Sequence, residues 1–449
     1  WRCWQPVSAS RLDTRRSSPP GPTSVAEPTP RGAAASLALA AGVVGVGALF
    51  LPWLAVARDG WVSVGAWGFH VVVGGLLVVA LGAREDLGEL AGGLARARQS
   101  SGERAGSVPL AAARHDSAEQ ASSGSVGHAR QDTAEQADSG LLDVARRAVP
   151  RYYLLGVSVG QAVVASVAGG FLATAVGAPG SWPVFALVVL VPAVVAGAAG
   201  WRGPAWTSYA MFAVIVVVAG IAAASGGVAA GPESVAGVGR AAFLVLFAFV
   251  GWEGAARLRG ARIGWLLGGV GLVGVVYVGL ALFAASTSTE ASAGLPFSLA
   301  PFGHDALGRS VAALAGAVCA VACARNFALV KTLGSQQFPR LKSPIWMVVP
   351  AAIAAAGVLL LTAHLVRLED LLSVPNAMAL AVFATAAAGV LAAGKPAARA
   401  AAGAALLGYA LLIPFAGLAL AWPAAVLLAT AFARYARRNS GAPHQLRRL

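Results

Sequence analysis

The chain has 449 residues, of which 57% are hydrophobic and only 12% are charged. Soluble globular chains carry roughly a quarter charged residues, so this composition excludes a soluble globular protein and predicts one embedded in a lipid bilayer. The formal net charge of +14 does not indicate a nucleic-acid partner, because Arg and Lys are concentrated between the apolar runs, where membrane topology accounts for them.

Apolar runs of about 20 residues recur along the chain, and each matches the ~30 Å hydrocarbon core of a bilayer. We therefore expect an all-α, polytopic membrane protein with about twelve transmembrane helices. The predicted spans cover residues 34–56, 61–83, 152–176, 182–200, 205–224, 240–258, 264–285, 309–329, 345–365, 371–393 and two crossings within 400–433. The last run is divided in two because prolines interrupt a stretch too long for one crossing.

This pattern divides the chain into two terminal tails and a transmembrane domain that contains one long polar loop. Residues 1–33 are rich in Pro, Ser and Arg and are predicted to be a disordered N-terminal tail. Residues 34–435 form the predicted transmembrane permease domain, and residues 436–449 a basic cytoplasmic tail. Within the domain, residues 84–150 are a predicted cytoplasmic loop with a low-complexity insert, in which residues 113–121 are nearly repeated at 129–137. We expect about 99–140 to be disordered, because the insert lacks the apolar content of a core.

The distribution of cations predicts the orientation. With a cytoplasmic N-terminus, most Arg and Lys fall in inner segments, including residues 84–151, 257–262, 331–342, 395–399 and 434–438. The outer segments hold only isolated cations such as Arg58, Arg240, Arg309 and Arg367. This asymmetry favours cytoplasmic N- and C-termini and supports the span count.

Two of the predicted spans contain features that interrupt a helix. The first has glycines at positions 42, 45 and 47 and then Pro52, which lowers helix propensity and suits the start of a second half-helix. The alternative for these glycines is close helix packing through small residues. The sixth span contains Gly251 followed by Glu253, a carboxylate that is expensive in an apolar run and so indicates a functional site. The alternative places Glu253 at the cytoplasmic end, paired with Arg257.

Few other polar side chains lie in the spans. His70 is compatible with a proton relay or with a hydrogen bond to a neighbouring helix. Cys319 and Cys323 share one helix face without further ligands, which favours packing over metal binding. Because no nucleophiles, acids or metal ligands converge in the sequence, we expect neither an enzyme nor a cofactor.

The motifs resemble those of the amino acid–polyamine–organocation superfamily of permeases. Gly45-Val46-Gly47 followed by Pro52 matches the glycine-rich segment of span one. Phe247-Ala-Phe249-Val-Gly251-Trp252-Glu253 matches the pattern of span six. Arg325-Asn326 and Pro375-Asn376-Ala377 also look like family positions, and the bacterial exporters of methionine and branched-chain amino acids are the most similar group. The chain departs from the family at Val46, where a Ser or Thr is usual, at Phe50, which comes one place late, and in lacking a Lys in the fifth span.

The resemblance implies two inverted repeats of five helices, with broken helices one and six, and secondary active transport of neutral or hydrophobic amino acids across the plasma membrane. It suggests efflux, with a proton as the coupling ion and no nucleic-acid partner. A permease-like sensor that binds without transporting is the alternative. The substrate carboxylate would face the amides of Gly45, Val46 and Gly47, and its ammonium would face carbonyls freed between Phe247 and Val250. Phe249 and Trp252 would supply apolar walls beside Gly251. The candidates for coupling or gating are Glu253, His70 and Asn326.

Overall fold

The computed structural model describes residues 32–82, 125–201, 203–204, 206–225, 231, 233–252, 255, 258, 261–286, 306–337 and 343–440. Side chains within these ranges are described except at 125–139, 222–225, 336–337, 343–346 and 437–440. The expectations for the N-terminal tail, for residues 83–124 of the loop, for Glu253 and for the tail beyond residue 440 therefore lie outside the described residues.

Every regular element in these ranges is helical, so the all-α prediction is confirmed. Fourteen α-helices are described: α1 Ala33–Val43, α2 Leu51–Asp59, α3 Ser63–Gly82, α4 Ser125–Ala175, α5 Trp182–Ala199, α6 Thr207–Ser225, α7 Val235–Val245, α8 Ile263–Ser286, α9 Ala306–Gln337, α10 Ser343–Thr362, α11 Leu368–Ala393, α12 Pro396–Ala410, α13 Ile413–Ala416 and α14 Ala421–Ser440. Short 3-10 helices at Val46–Leu49, Gly60–Val62, Pro179–Ser181, Leu246–Phe249 and Gly417–Leu420 connect or extend them.

Seven helical segments of the described chain are long and apolar enough to cross a bilayer, which makes this a multi-pass membrane protein. They are Leu51–Gly82, Gly140–Ala175, Pro179–Ala199, Ile263–Ser286, Ala306–Ser335, Leu368–Ala393 and Pro396–Ala436. Four shorter apolar helices, Ala33–Val43, Thr207–Ile221, Val235–Phe249 and Met347–Thr362, fall on the predicted first, fifth, sixth and ninth spans. Seven long segments are fewer than the twelve predicted spans, partly because the helices of the first and sixth spans stop at interruptions.

Two of the seven segments, Leu51–Gly82 and Pro396–Ala436, are helical hairpins, in which the chain reverses direction. The first hairpin is formed by α2 and α3. The Ser36 hydroxyl near the start of α1 donates to the carbonyl oxygen of Trp265 at 2.5 Å, and a Cβ placed on Gly82 would lie 2.6 Å from Leu266 Cδ1. The start of α1 and the end of α3 therefore meet the same end of α8, and the chain reverses at Gly60. This reversal uses a positive φ of 66° at Gly60, which glycine adopts without the usual steric cost.

The second hairpin is formed by α12 and α14. The α11 residue Gly389, which precedes α12, lies beside Arg146 near the start of the apolar part of α4. Arg434, near the end of α14, donates to the Gly140 carbonyl oxygen and forms an ion pair with Asp143 at 3.1 Å. Because both ends of Pro396–Ala436 lie at the same end of α4, the chain crosses and returns, with the reversal at the residues around Gly417.

The helices pack in two groups. One contains α1, α2, α3, α7 and α8, which contact one another extensively. The other contains α4, α5, α9 and α10, while α11 packs on α4 and α12 on both α3 and α11. The candidate site lies where the interrupted helices of the first group approach α4 of the second group and α11, which packs on α4.

One expectation for the loop differs from the structure. The described backbone of α4 begins at Ser125, so residues 125–140 are helical and not disordered as predicted. Ala, Glu, Gln and Arg in this stretch are good helix formers, and the helix continues directly into the apolar segment through Pro150. Low apolar content gives no information about a helix that extends from a membrane span.

Candidate functional site

The first interruption separates α1 from α2. After Val43 the backbone becomes extended, with φ −70° and ψ 103° at Val44 and φ −116° and ψ −169° at Gly45. A 3-10 helix then covers Val46–Leu49, and α2 starts at Leu51 with Pro52 in its first turn. Since proline has no amide hydrogen to lose, it suits this position. The first amides of the 3-10 helix have no acceptor within that helix and remain available to another group.

The second interruption follows α7. The helix tightens into a 3-10 helix at Leu246–Phe249, becomes extended at Val250 with φ −64° and ψ 119°, and reaches φ 136° at Gly251. Only glycine adopts such a φ readily. A Cβ on Gly251 would lie 2.4 Å from the carbonyl oxygen of Gly42. Gly251 is therefore required both by its backbone conformation and by the close approach of the first interruption.

The two interruptions lie directly against each other. A Cβ on Gly47 would be 3.2 Å from both Cα and Cβ of Ala248 and 3.0 Å from Leu51 Cδ1. Gly45, in contrast, is half-buried, and a Cβ there would meet nothing closer than the Val43 carbonyl oxygen at 3.9 Å. The free approach to the amides of the first interruption is therefore at Gly45, while Gly47 is the point of contact between the two segments.

Tyr277 of α8 connects both interruptions through its hydroxyl group. The Gly45 amide donates to the Tyr277 oxygen at 3.3 Å. The hydroxyl in turn lies 2.9 Å from the carbonyl oxygen of Ala248 and 3.4 Å from that of Val43. Sequence reasoning missed this residue. The available signal was that Tyr277 has the only hydroxyl group between Ile263 and Ala285.

Phe249 and Trp252, which were expected to line the ligand, are instead packed among aromatic rings of α3 and α8. The Phe249 ring centroid lies 5.6 Å from that of Trp67, 4.9 Å from His70, 5.0 Å from Tyr277 and 6.0 Å from Trp252. Both side chains are fully buried. They support the second interruption from behind, and their role as ligand walls stays a prediction.

Phe247 lies on the other side of the same 3-10 helix. It is half-buried, and its ring approaches α4, where a Cβ on Gly160 would be 3.1 Å from Phe247 Cε2 and 3.9 Å from Pro375 Cβ of α11. Val250, also half-buried, follows it at the end of the 3-10 helix. Of the predicted aromatic site residues, Phe247 is thus the one that faces the second group of helices.

Two polar side chains from neighbouring helices bind carbonyl oxygens of α7 just before the interruption. His70 Nε2 lies 2.6 Å from the Ala242 carbonyl oxygen, which confirms the hydrogen-bonding alternative for this histidine. Asn376 Nδ2 donates to the Leu244 carbonyl oxygen at 3.1 Å, and its Oδ1 accepts no hydrogen bond from the described residues. Asn376 is fully buried, so an acceptor without a donor lies close to the second interruption.

The third coupling candidate, Asn326, is half-buried on α9. Its neighbour Arg325 donates to Ser208 Oγ of α6 at 2.8 Å. Neither side chain forms a described hydrogen bond to the interruptions. Cys319 and Cys323 are both buried, and no group of three or more His, Cys, Asp or Glu comes together in the part of the chain that the structure describes. The groups available at the candidate site are therefore the backbone amides and carbonyls of the two interruptions, the Tyr277 hydroxyl and aromatic rings such as that of Phe247.

An ion pair joins the two interrupted helices at the end opposite to the start of α1. Asp59 at the end of α2 is fully buried, and its Oδ1 accepts hydrogen bonds from Arg240 Nε at 3.1 Å and Nη2 at 2.9 Å. Arg240 also donates to Ser234 Oγ at 3.2 Å. The backbone adds a hydrogen bond from the Gly231 amide to the Val56 carbonyl oxygen at 3.0 Å. These contacts close one end of the pair of interrupted helices.

The fold and the site define a multi-pass helical membrane protein with two opposed helix interruptions. No protein-family model matches the chain, and no curated protein matches it. The functional argument is therefore carried by the residues and their geometry.

Proposed function

We propose that this protein is a secondary active transporter of neutral or hydrophobic amino acids, of the amino acid–polyamine–organocation type. The observation that carries the proposal is the contact between two interrupted helices that run in opposite directions. The first runs from the Trp265 end of α8 toward Asp59, and the second starts beside Asp59 at Arg240 and runs back. Discontinuous helices that meet in the middle of a bundle are typical of transporter binding sites.

The grouping of the helices supports the proposal, because it agrees with the proposed inverted repeat. When each of the two hairpins is counted as two crossings, α1 and α2 together as the first crossing, and each remaining shorter apolar helix as one, the described chain has twelve crossings. In this count α7 starts the sixth crossing. In this count one helix group takes crossings one, two, six and seven, and the other takes three, four, eight and nine. Each group thus draws corresponding members from two sets of five, as an inverted repeat requires.

The chemistry of the interruptions fits a zwitterion. The amides of Gly45, Val46 and Gly47 attract a carboxylate, since the start of a half-helix presents hydrogen-bond donors and a positive dipole end. Carbonyl oxygens freed between Phe247 and Val250 attract an ammonium group, and Asn376 Oδ1 adds an acceptor. Because backbone groups balance both charges, few charged side chains are needed.

The direction and coupling rest on the sequence resemblance. The proposed direction is efflux, as in the bacterial exporters that the motifs resemble. Both termini are proposed to lie on the cytoplasmic side of a plasma membrane, because cations concentrate on that side of the predicted topology. The proposed coupling ion is a proton, with Glu253 as the group that exchanges it. In this orientation the Asp59–Arg240 ion pair closes the outer end of the site.

The decisive experiment is transport by the full chain in proteoliposomes. Liposomes loaded with unlabelled leucine or methionine should accumulate the external labelled amino acid by exchange, and arginine and glutamate should compete weakly. An imposed pH gradient should change the net flux. Binding of label without its passage into the lumen would indicate the sensor alternative, and neither binding nor passage for any of these amino acids would refute the proposal.

A matched pair of variants tests the site. Phe247→Ala should reduce exchange strongly, because it removes the aromatic ring that faces α4 and α11 beside the interruption. Phe432→Ala makes the same chemical change on an exposed position of α14 and should leave exchange unchanged. Equal activity in both variants would move the site away from the second interruption.

A further inference from the structure

Tyr277 is a polar residue that touches both interruptions, and its partners limit which hydrogen bonds its hydroxyl group can form. The hydroxyl has a single hydrogen to donate. Ala248 is the better acceptor at 2.9 Å, and Val43 lies at 3.4 Å. The oxygen receives the Gly45 amide at 3.3 Å. The ring is fully buried and stacks on Trp67 at 4.9 Å, so α8 and α3 fix the position of the hydroxyl group.

These partners are the same groups that a bound zwitterion would use. A backbone amide has one hydrogen, so the Gly45 amide cannot form a full hydrogen bond to the Tyr277 oxygen and to a carboxylate at the same time. A carbonyl oxygen has two lone pairs, so Ala248 accepts from Tyr277 and from an ammonium group together. A ligand therefore competes with Tyr277 at the first interruption and not at the second.

We propose that the Tyr277 hydroxyl is a built-in competitor of the ligand carboxylate, which holds the two interruptions together when the site is empty. This inference rests on the proposed function. A carboxylate forms shorter and roughly twice stronger hydrogen bonds with an amide than a neutral oxygen does, and the bond from Gly45 is long. Ligand binding then frees the first interruption from α8, while Tyr277 continues to hold Ala248. Tyr277 thus sets the affinity and links occupancy of the site to the contact between the interruptions.

Tyr277→Phe isolates this role, because phenylalanine retains the ring packed against Trp67 and Phe249. Removing the competitor should tighten binding of labelled leucine by about two- to tenfold, the range expected for one net neutral hydrogen bond. The empty protein should at the same time lose the bridge, which should speed hydrogen exchange in the peptide that contains Gly45. A residue with only a structural role would speed exchange without tightening binding. Tyr409→Phe is the matched control, because Tyr409 is another buried tyrosine, stacked on Phe383 at 5.2 Å and located on α12.

The experiment measures leucine binding and hydrogen exchange for the full chain and both variants in detergent micelles. Tighter binding in Tyr277→Phe alone, together with faster exchange at Gly45, supports the inference. Unchanged or weaker binding in Tyr277→Phe, with normal binding by the unmodified protein, overturns the inference and leaves the proposed function intact. If neither leucine nor methionine binds to the unmodified protein, the proposed function fails, and the competition fails with it.

Discussion

The ion pair between Asp59 and Arg240 leads to a prediction about stability that depends on the unequal burial of its two members. The Asp59 side chain is completely buried, whereas the Arg240 side chain is 38% exposed. Removal of the arginine leaves a buried carboxylate, and removal of the carboxylate leaves a guanidinium that water can reach. We therefore expect Arg240→Gln to destabilise the protein more than Asp59→Asn.

The magnitudes follow from the contacts. Arg240→Gln removes two charged hydrogen bonds at 3.1 and 2.9 Å. The remaining cation, Arg58, has its Nε 3.7 Å from Asp59 Oδ2, which is too far for a hydrogen bond. Breaking a buried ion pair from one side costs about 3–5 kcal/mol, and the nearby Arg58 places this case near the lower limit. Asp59→Asn keeps an acceptor for the guanidinium, so the expected cost is about 1–1.5 kcal/mol, the difference between charged and neutral hydrogen bonds.

The assay is equilibrium unfolding in mixed detergent micelles for the two single variants and for the double variant. The double variant should cost less than the sum of the single ones by about 2 kcal/mol, because it removes the unpaired buried charge. Arg309→Gln changes an exposed arginine of α9 and should stay within about 0.5 kcal/mol of the unmodified protein. Equal costs for the two single variants, or additive costs in the double variant, would refute the reasoning from burial.

Three further predictions concern residues that lie in the second interruption or contact its helix from α3 and α11. Gly74→Ala places a Cβ 2.2 Å from Trp252 Nε1 and should destabilise by about 1–3 kcal/mol in the same unfolding assay, whereas Gly68→Ala on the same helix meets nothing within 4 Å and should be neutral. Gly251→Ala combines a φ of 136° with a clash and should sharply lower the yield of monodisperse protein in size-exclusion chromatography; a normal yield would contradict the described turn. Asn376→Leu removes a buried hydrogen bond to the backbone and should lower the free energy of unfolding by about 1–3 kcal/mol. A variant as stable as the unmodified protein would contradict this prediction.

The positions of the interruptions were predictable from the sequence because each depends on local backbone chemistry. Gly45, Gly47 and Pro52 weaken a helix and restart it within a few residues, and Gly251 has a conformation that other residues rarely adopt. The first helix ends at Val43, two positions before Gly45, and the 3-10 helix that continues α7 ends at Phe249, two positions before Gly251. Such features are visible in a window shorter than one membrane span.

The contacts that connect the interruptions were not predictable in the same way. Tyr277 lies 232 positions from Gly45, and Arg240 lies 181 positions from Asp59. The partners of Tyr277 are backbone atoms, and because every residue has the same backbone groups, the sequence does not show which of them are the partners. A lone Tyr or Asp in an apolar run shows that a partner is needed, but only the packing of the helices selects it.

The different surroundings of Phe247 and Phe249 have a geometric cause that is visible in the sequence. Side chains two positions apart on a helix do not face the same direction, and in a 3-10 helix of three residues per turn they are about 120° apart. Phe247 and Phe249 therefore point toward different neighbours. Their actual neighbours agree with this, since Phe249 packs on α3 and α8 while Phe247 faces α4 and α11.

This division gives the second interruption a specific role in the proposed transport. Phe249 belongs to the helix group that contains α3 and α8, and its ring is enclosed by aromatic neighbours that would move with it. Phe247 spans the boundary to the second group, where Gly160 leaves room for its ring. A rigid rotation of one group against the other, as expected for alternating access between repeats, would preserve the packing of Phe249 and exchange the contacts of Phe247. In the proposed transport, the boundary beside Phe247 would therefore be where the site opens and where the substrate is contacted.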